Sequence, residues 1–252
     1  MSHSRDVRVR ASEIKFLVGA EAAERIRAWA REHLQADPHG SGVHGDEYQT
    51  ASLYFDTAGY DVFHRRGSFG RGKYRIRRYG DADAIFLERK MRQAAVLAKR
   101  RTRTSVETLP LLAQPSIDPA WAGSWFHRRL SARRLRPVCQ VTYQRMARTF
   151  VRDGEVMRLT LDADLRARSV REIGFRRGAG VSVLSTLRNT ESDAILELKF
   201  TGPAPALFRR LVEELELNPQ PASKYRLSAA ALDPALVIAP PVSDRGGEAV
   251  HA

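Results

Sequence analysis

The run from residue 72 to residue 79 (GKYRIRRY) decides how this chain folds. Residues two apart share one face of a β-strand. Read as a strand, it puts Lys73, Arg75 and Arg77 on one side and Tyr74 and Ile76 on the other. The same alternation recurs in both directions along the chain. Glu88 and Lys90 oppose Leu87, and Lys99, Arg101 and Arg103 share a side. Arg158, Thr160 and Asp162 oppose Met157, Leu159 and Leu161, and Arg145 closes the alternating series Val141, Tyr143, Arg145. A Glu-x-Lys pattern appears at Glu13 and Lys15 and again at Glu197 and Lys199.

A strand surface facing water also carries alternating charge, which would explain any one of these segments. Repetition over so many strands argues against it, because like charges opposite one another destabilise a sheet. A sheet closed on itself, polar face inward and apolar face covered by helices, satisfies the whole pattern. The expected fold is therefore α+β, a closed antiparallel β-barrel with helices packed on the outside. Its lumen would be a basic tunnel holding a few carboxylates. A purely basic groove suits a nucleic-acid backbone, whereas glutamates among Arg and Lys suit metal-bound phosphates.

Composition by itself admits either an anionic ligand or a basic solvated surface. Among 252 residues, 42 Lys and Arg stand against 29 Asp and Glu, a formal charge of +13, and such a field attracts polyanions. The single cysteine, Cys139, excludes a disulfide framework and multi-cysteine metal sites, and its apolar surroundings mark an inert core thiol. No run of eighteen apolar residues occurs and the first residues lack an apolar leader core, so a cytoplasmic protein is expected.

Strands are expected over residues 9–17, 48–56, 72–79, 84–90, 98–106, 137–150, 156–162 and 194–200. Helices are expected over residues 20–35, from Asp118-Pro119 through Leu130, over 204–217 and over about 222–232. These make one domain, residues 9–238, between disordered ends at 1–8 and 239–252. Residues 67–74 (GSFGRGKY) nearly match a phosphate-binding P-loop, but Tyr74 replaces the required hydroxyl and a strand follows. His127 is read as a surface residue, Trp121 and Trp125 as helix packing, and Tyr54, Tyr74 and Tyr143 as core. Tyr225 is expected to orient the last helix beside Lys224.

Seven short runs occur in order: residues 52–56 (SLYFD), 73–77 (KYRIR), 86–90 (FLERK), 141–145 (VTYQR), 158–162 (RLTLD), 196–199 (LELK) and 223–225 (SKY). Together they resemble the VTC domain, the polyphosphate polymerase branch of the triphosphate tunnel metalloenzymes. The resemblance spans residues 9–232. It implies an antiparallel tunnel fold and phosphate ligands at Lys15, Arg75, Arg77, Lys90, Lys99, Arg145, Arg158 and Lys224. It implies a metal-holding glutamate at Glu197 and manganese or magnesium as the ion; Glu88, and with less weight Glu13, either adds to that metal site or pairs with neighbouring cations. The implied reaction moves the γ-phosphate of ATP onto a growing polyphosphate chain. ATP and polyphosphate, or other phosphate-rich anions, are the implied partners. Nucleic acid is disfavoured, and coupling to transport would require a separate membrane-protein partner. The hydrolytic branch carries Glu-x-Glu-x-Lys on its first strand; here Ala11 replaces the first glutamate. A tunnel triphosphatase and a non-catalytic polyphosphate or nucleic-acid binding module remain the alternatives.

Overall fold

The computed structural model describes residues 7–9, 11–69, 72–93, 96–152, 155–186 and 192–238. The expected tail at 239–252 and residues 1–6 lie outside these. Val7 and Arg8, expected in a disordered end, belong to a short strand.

The strands are β1 (Val7–Val9), β2 (Ala11–Val18), β3 (Gln35–Ala36), β4 (Glu47–Asp56), β5 (Gly72–Tyr79), β6 (Ala84–Gln93), β7 (Val96–Ser105), β8 (Arg136–Arg152), β9 (Glu155–Ser169), β10 (Val181–Ser182) and β11 (Ala194–Thr201). The helices are α1 (Ala20–His33), α2 (Asp61–His64), α3 (Ser124–Ala132), α4 (Ala206–Glu214), α5 (Lys224–Leu232) and α6 (Ala235–Ile238). All the ladders are antiparallel and give the order β1-β7-β6-β5-β4-β8-β9-β11-β2, with β10 on β9 and β3 on β8.

The expected closed barrel is corrected here. Among the described residues no ladder joins β1 to β2, so the sheet is open. The two ends of the order are consecutive in sequence, so one stretch of chain serves first one edge and then the other. Side chains bridge the curled sheet instead. Lys90 Nζ on β6 lies 2.9 Å from Glu13 Oε2 on β2, two strands far apart in the ladder order.

The apolar faces are covered by helices, as the alternation requires. Ile26, Trp29 and Ala30 of α1 and Phe208 and Leu211 of α4 pack with Phe16, Leu159, Leu161, Leu196 and Leu198. On the other side, α3, the 3-10 segment Val106–Ala113 and α5 pack Phe126, Leu109, Leu112 and Tyr225 with Leu53, Ile76, Leu87 and Val141. Burying such side chains is worth about 1.5–3 kcal/mol each, so the outer core, not the charged face, holds the sheet.

Two local expectations fail for identifiable reasons. The helix expected from Asp118 begins only at Ser124, because Asp118 Oδ1 accepts the Ala120 N–H at 2.8 Å in a local turn. His127 is buried at 2% exposure rather than on the surface, since its face of α3 packs inward. The near P-loop continues into β5, a strand, as the sequence indicated.

Candidate active site

The polar face is assembled by register. Lys73, Lys90 and Lys99 stand opposite one another across β5, β6 and β7. In the next row Arg75 faces Glu88, and Glu88 faces Arg101. On the other wall Lys15 faces Glu197, which faces Thr160, while Glu13 faces Lys199, which faces Arg158. Arg145 faces Asp162 between β8 and β9. Strand alternation thus collects the strand-borne residues implied by the resemblance onto one surface, and α5 brings Lys224 to Asp162 beside them.

Four carboxylate hubs organise these cations. Glu88 takes Arg75 Nε at 2.6 Å, Lys99 Nζ at 2.9 Å and Arg101 Nε at 3.3 Å. Burial pushes its carboxyl up, but Arg75, Arg77 and Lys99 outweigh that and hold it far below the usual carboxylate range. Asp162, fully buried, takes both arms of Arg145 at 2.6 and 2.7 Å and Lys224 Nζ at 2.5 Å. Burial raises this carboxyl and the two cations bring it down to about 2. Asp37, from the loop after β3, takes Arg158 Nη2 at 2.9 Å, and the same nitrogen donates to Tyr48 Oη at 3.0 Å.

The fourth hub is a carboxylate pair. Lys15 Nζ lies 2.8 Å from Glu13 Oε1 and 3.5 Å from Glu197 Oε2. Lys199 pairs with Glu197 and reaches Glu13 at 3.9 Å. Burial and the neighbouring Glu197 push the Glu13 carboxyl up; Lys90, Lys15 and Lys199 overcome both and bring it down to about 2. Glu197 is likewise raised by burial and carried well below its ordinary value by Lys199 and Lys15. Two carboxylates are therefore held ionised side by side.

This pair fits a hard divalent cation better than Glu88 does. Magnesium-like ions take one or two carboxylates together with substrate phosphates and keep several waters. Glu13 and Glu197 supply that donor set, and Thr160 Oγ1, on the strand paired with Glu197, is buried without a hydrogen-bond partner. Among the described residues no three His, Cys, Asp or Glu side chains cluster, so no all-protein cage is built. Glu88, expected to join Glu197, sits instead in a separate hub of three cations.

Arg77 differs from its neighbours. Its hydrogen bonds go to neutral hydroxyls, Ser52 Oγ at 3.2 Å and Tyr143 Oη at 2.8 Å, and Glu88 acts on it through space rather than by a direct ion pair. Tyr54 and Tyr143, read from sequence as core, are buried but turn their hydroxyls to Arg75 and Arg77. Tyr225 anchors α5, the helix expected to be the last: its hydroxyl donates to Asp56 Oδ2, which also accepts the Phe63 N–H at 2.9 Å. That bond sets α5 so that Lys224 reaches Asp162. Cys139 is 1% exposed and burial pushes its thiol up, consistent with an inert core residue.

Sequence reasoning passed over Lys199, Asp162, Asp37 and Lys73 as site members. Lys199 and Asp162 were visible as the far ends of Glu-x-Lys and Arg-x-Thr-x-Asp alternations. Asp37 carried no such signal, because a loop brings it to Arg158.

No curated protein sequence resembles this chain at a significant level. An adenylate cyclase candidate from Bacillus halodurans shares its fold, with 16% identity and a TM-score of 0.50 over 85% of this chain and 96% of that one. A Hippeastrum protein, described as an adenylyl cyclase candidate with a dominant triphosphatase activity, superposes at a TM-score of 0.47 with 14% identity, covering 87% of this chain and 95% of that one. The family model described as the VTC domain matches residues 10–233. With that match over most of its length, the chain belongs to the VTC domain family.

Proposed function

We propose that this chain is a metal-dependent polyphosphate polymerase that transfers the γ-phosphate of ATP to the end of a polyphosphate chain. The observation that carries the reading is the lumen face itself: cations outnumber carboxylates there, and Glu13 and Glu197 stand paired at its wall.

Phosphoryl transfer needs positioning and charge neutralisation more than covalent help. A terminal phosphate oxygen of the acceptor attacks the γ-phosphorus, the bond to the β-phosphate oxygen breaks, and ADP leaves. The attacking oxygen is already anionic, so no general base is needed. Arg75 and Arg77 present forked donors to phosphate oxygens, and Lys15, Lys90, Lys99 and Lys224 supply point charges. Arg145 and Arg158 act from the wall, where Asp162 and Asp37 fix their guanidinium planes. Glu197 with Glu13 would hold manganese or magnesium, which when bound neutralises charge on phosphate oxygens. Glu88 positions Arg75 and Lys99 in this reading and is not a metal ligand.

Incubation of the purified protein with ATP and manganese tests the proposal, with gel detection of polymer alongside an assay of free phosphate. Polymer growth with matching ADP supports it. Quantitative release of free phosphate without polymer replaces it with the triphosphatase reading.

A further inference from the structure

The row Lys73, Lys90, Lys99 places three ammonium groups directly opposite one another, an arrangement that destabilises a sheet unless it is compensated. Glu13 compensates Lys90 and Glu88 compensates Lys99. Among the described residues no carboxylate pairs with Lys73, and its ammonium donates to the Ser223 hydroxyl at 3.0 Å. The charges that act most strongly on it are those of Lys15 from β2, Lys90 from β6, Arg226 from the first turn of α5 and Arg75 on its own strand, all of them cations.

The positive charge continues outward from there. Ser223 caps α5, and Arg226 follows it, half-buried and close enough to Arg65 for that charge to act on it. Arg65 is exposed and ends α2. The two helices are locked together: Asp56 accepts the Val62 N–H at 2.8 Å, the Phe63 N–H and the Tyr225 hydroxyl. The rings of Phe63 and Tyr225 meet edge to face at 6.5 Å. Among the described residues neither Arg226 nor Arg65 forms a salt bridge with a carboxylate, and the Asp56 bonds fix the two helices that carry them.

We propose that Arg226 and Arg65 form an outer phosphate subsite, entered past Lys73, which holds the part of a polyphosphate chain that the lumen does not enclose. This rests on the phosphate-binding reading of the lumen and adds the ligand's length to it. A ligand of three phosphates is held by the lumen groups, whereas a chain of tens of phosphates also reaches Arg226 and Arg65. Burial of Arg226 beside Arg65 lowers its hold on its own proton, the condition an incoming anion relieves.

The test is direct binding without nucleotide or metal, comparing tripolyphosphate with a long polyphosphate of tens of units at two salt concentrations. Arg226→Gln with Arg65→Gln removes both charges. Arg65→Gly alone removes one at a backbone position of φ 58, which glycine adopts without strain, so a loss there is not a loss of fold. The double variant is expected to bind the long chain roughly fivefold to tenfold less tightly, with a shallower salt dependence, and tripolyphosphate within about twofold of the parent. Arg65→Gly is expected to show part of the same long-chain loss. If long-chain affinity is unchanged in both variants, or both ligands weaken equally, the subsite is wrong while the lumen reading stands. If the parent binds neither ligand, the lumen reading itself fails and the subsite with it.

Discussion

At Lys73 the lumen's electrostatics become measurable. Burial, and then the charges of Lys15, Lys90, Arg226 and Arg75, pull its ammonium down to about 7 from an ordinary 10.5. The unfolded chain therefore binds more protons than the folded one between these values, and stability rises with pH across that window. Lys73→Met removes the titration, so the variant's thermal midpoint should gain on the parent's at pH 7 and the rise should flatten. A phosphate chain in the lumen reverses the sign by favouring the ammonium. Tripolyphosphate binding at pH 8 should then take up as much as about one proton, read from calorimetry in buffers of different ionisation enthalpy. A binding heat independent of buffer, or an unchanged one in Lys73→Met, would remove Lys73 from the binding face. Glu197→Gln asks a different question at the same scale. It keeps size and hydrogen bonding but removes one charge of the carboxylate pair, and turnover should fall roughly a hundredfold, about 2.7 kcal/mol at the transition state. Near-parental turnover at saturating manganese would show that Glu197 holds no metal.

Among the elements, α5 both carries a site cation, Lys224, and fixes the geometry around it. It delivers Lys224 to Asp162 and Ser223 to Lys73, and its place is set by Tyr225 on the buried Asp56 carboxylate. Tyr225→Phe leaves the ring packing but takes one donor from that carboxylate, a cost of about 1–3 kcal/mol in urea unfolding. Because α5 then shifts, tripolyphosphate affinity should fall as well, and Tyr54→Phe, whose hydroxyl touches Arg75 instead, should not reproduce the stability loss. Equal stability of Tyr225→Phe and parent would mean that α5 is held by packing alone. The strands that carry the site were legible because alternation is a local property: β5 spans the residues its sequence indicated. The hubs were not, because pairing partners depend on register. Nothing local says that Glu88 meets Arg101 on β7, or that Glu13 on β2 meets Lys90 on β6. Closure was misread for the same reason. Alternation requires the polar face to turn away from water, and an open, curled sheet whose walls are bridged by ion pairs satisfies that as well as a closed ladder does.

For the whole molecule the open question of chemistry is which nucleophile stands behind the transferred phosphate. A polymerase holds a phosphate chain in line there, so the cations that bind product also bind the next acceptor, and the chain advances by one unit. A hydrolase needs water in that position and a group to orient it. On β2 this chain has Glu13 and Lys15, with Ala11 two residues before Glu13 where the hydrolytic pattern carries a second glutamate. Water attack should therefore be the slower channel. Short polyphosphate added as primer should raise ADP formation and lengthen the product rather than compete with ATP. Ala11→Glu adds a carboxylate to the strand that already carries Glu13, and it should shift the partition of transferred phosphate toward solvent by roughly a hundredfold, the low end of what one positioned acid–base group contributes. The quantity to measure is the ratio of polymer-bound to free phosphate in parent and variant at the same manganese concentration. A parent that releases all its phosphate, with primer acting only as an inhibitor, would make this lumen a triphosphatase site. An unchanged ratio in Ala11→Glu, with primer still elongated, would leave the polymerase reading intact and show that position 11 does not decide between the two nucleophiles.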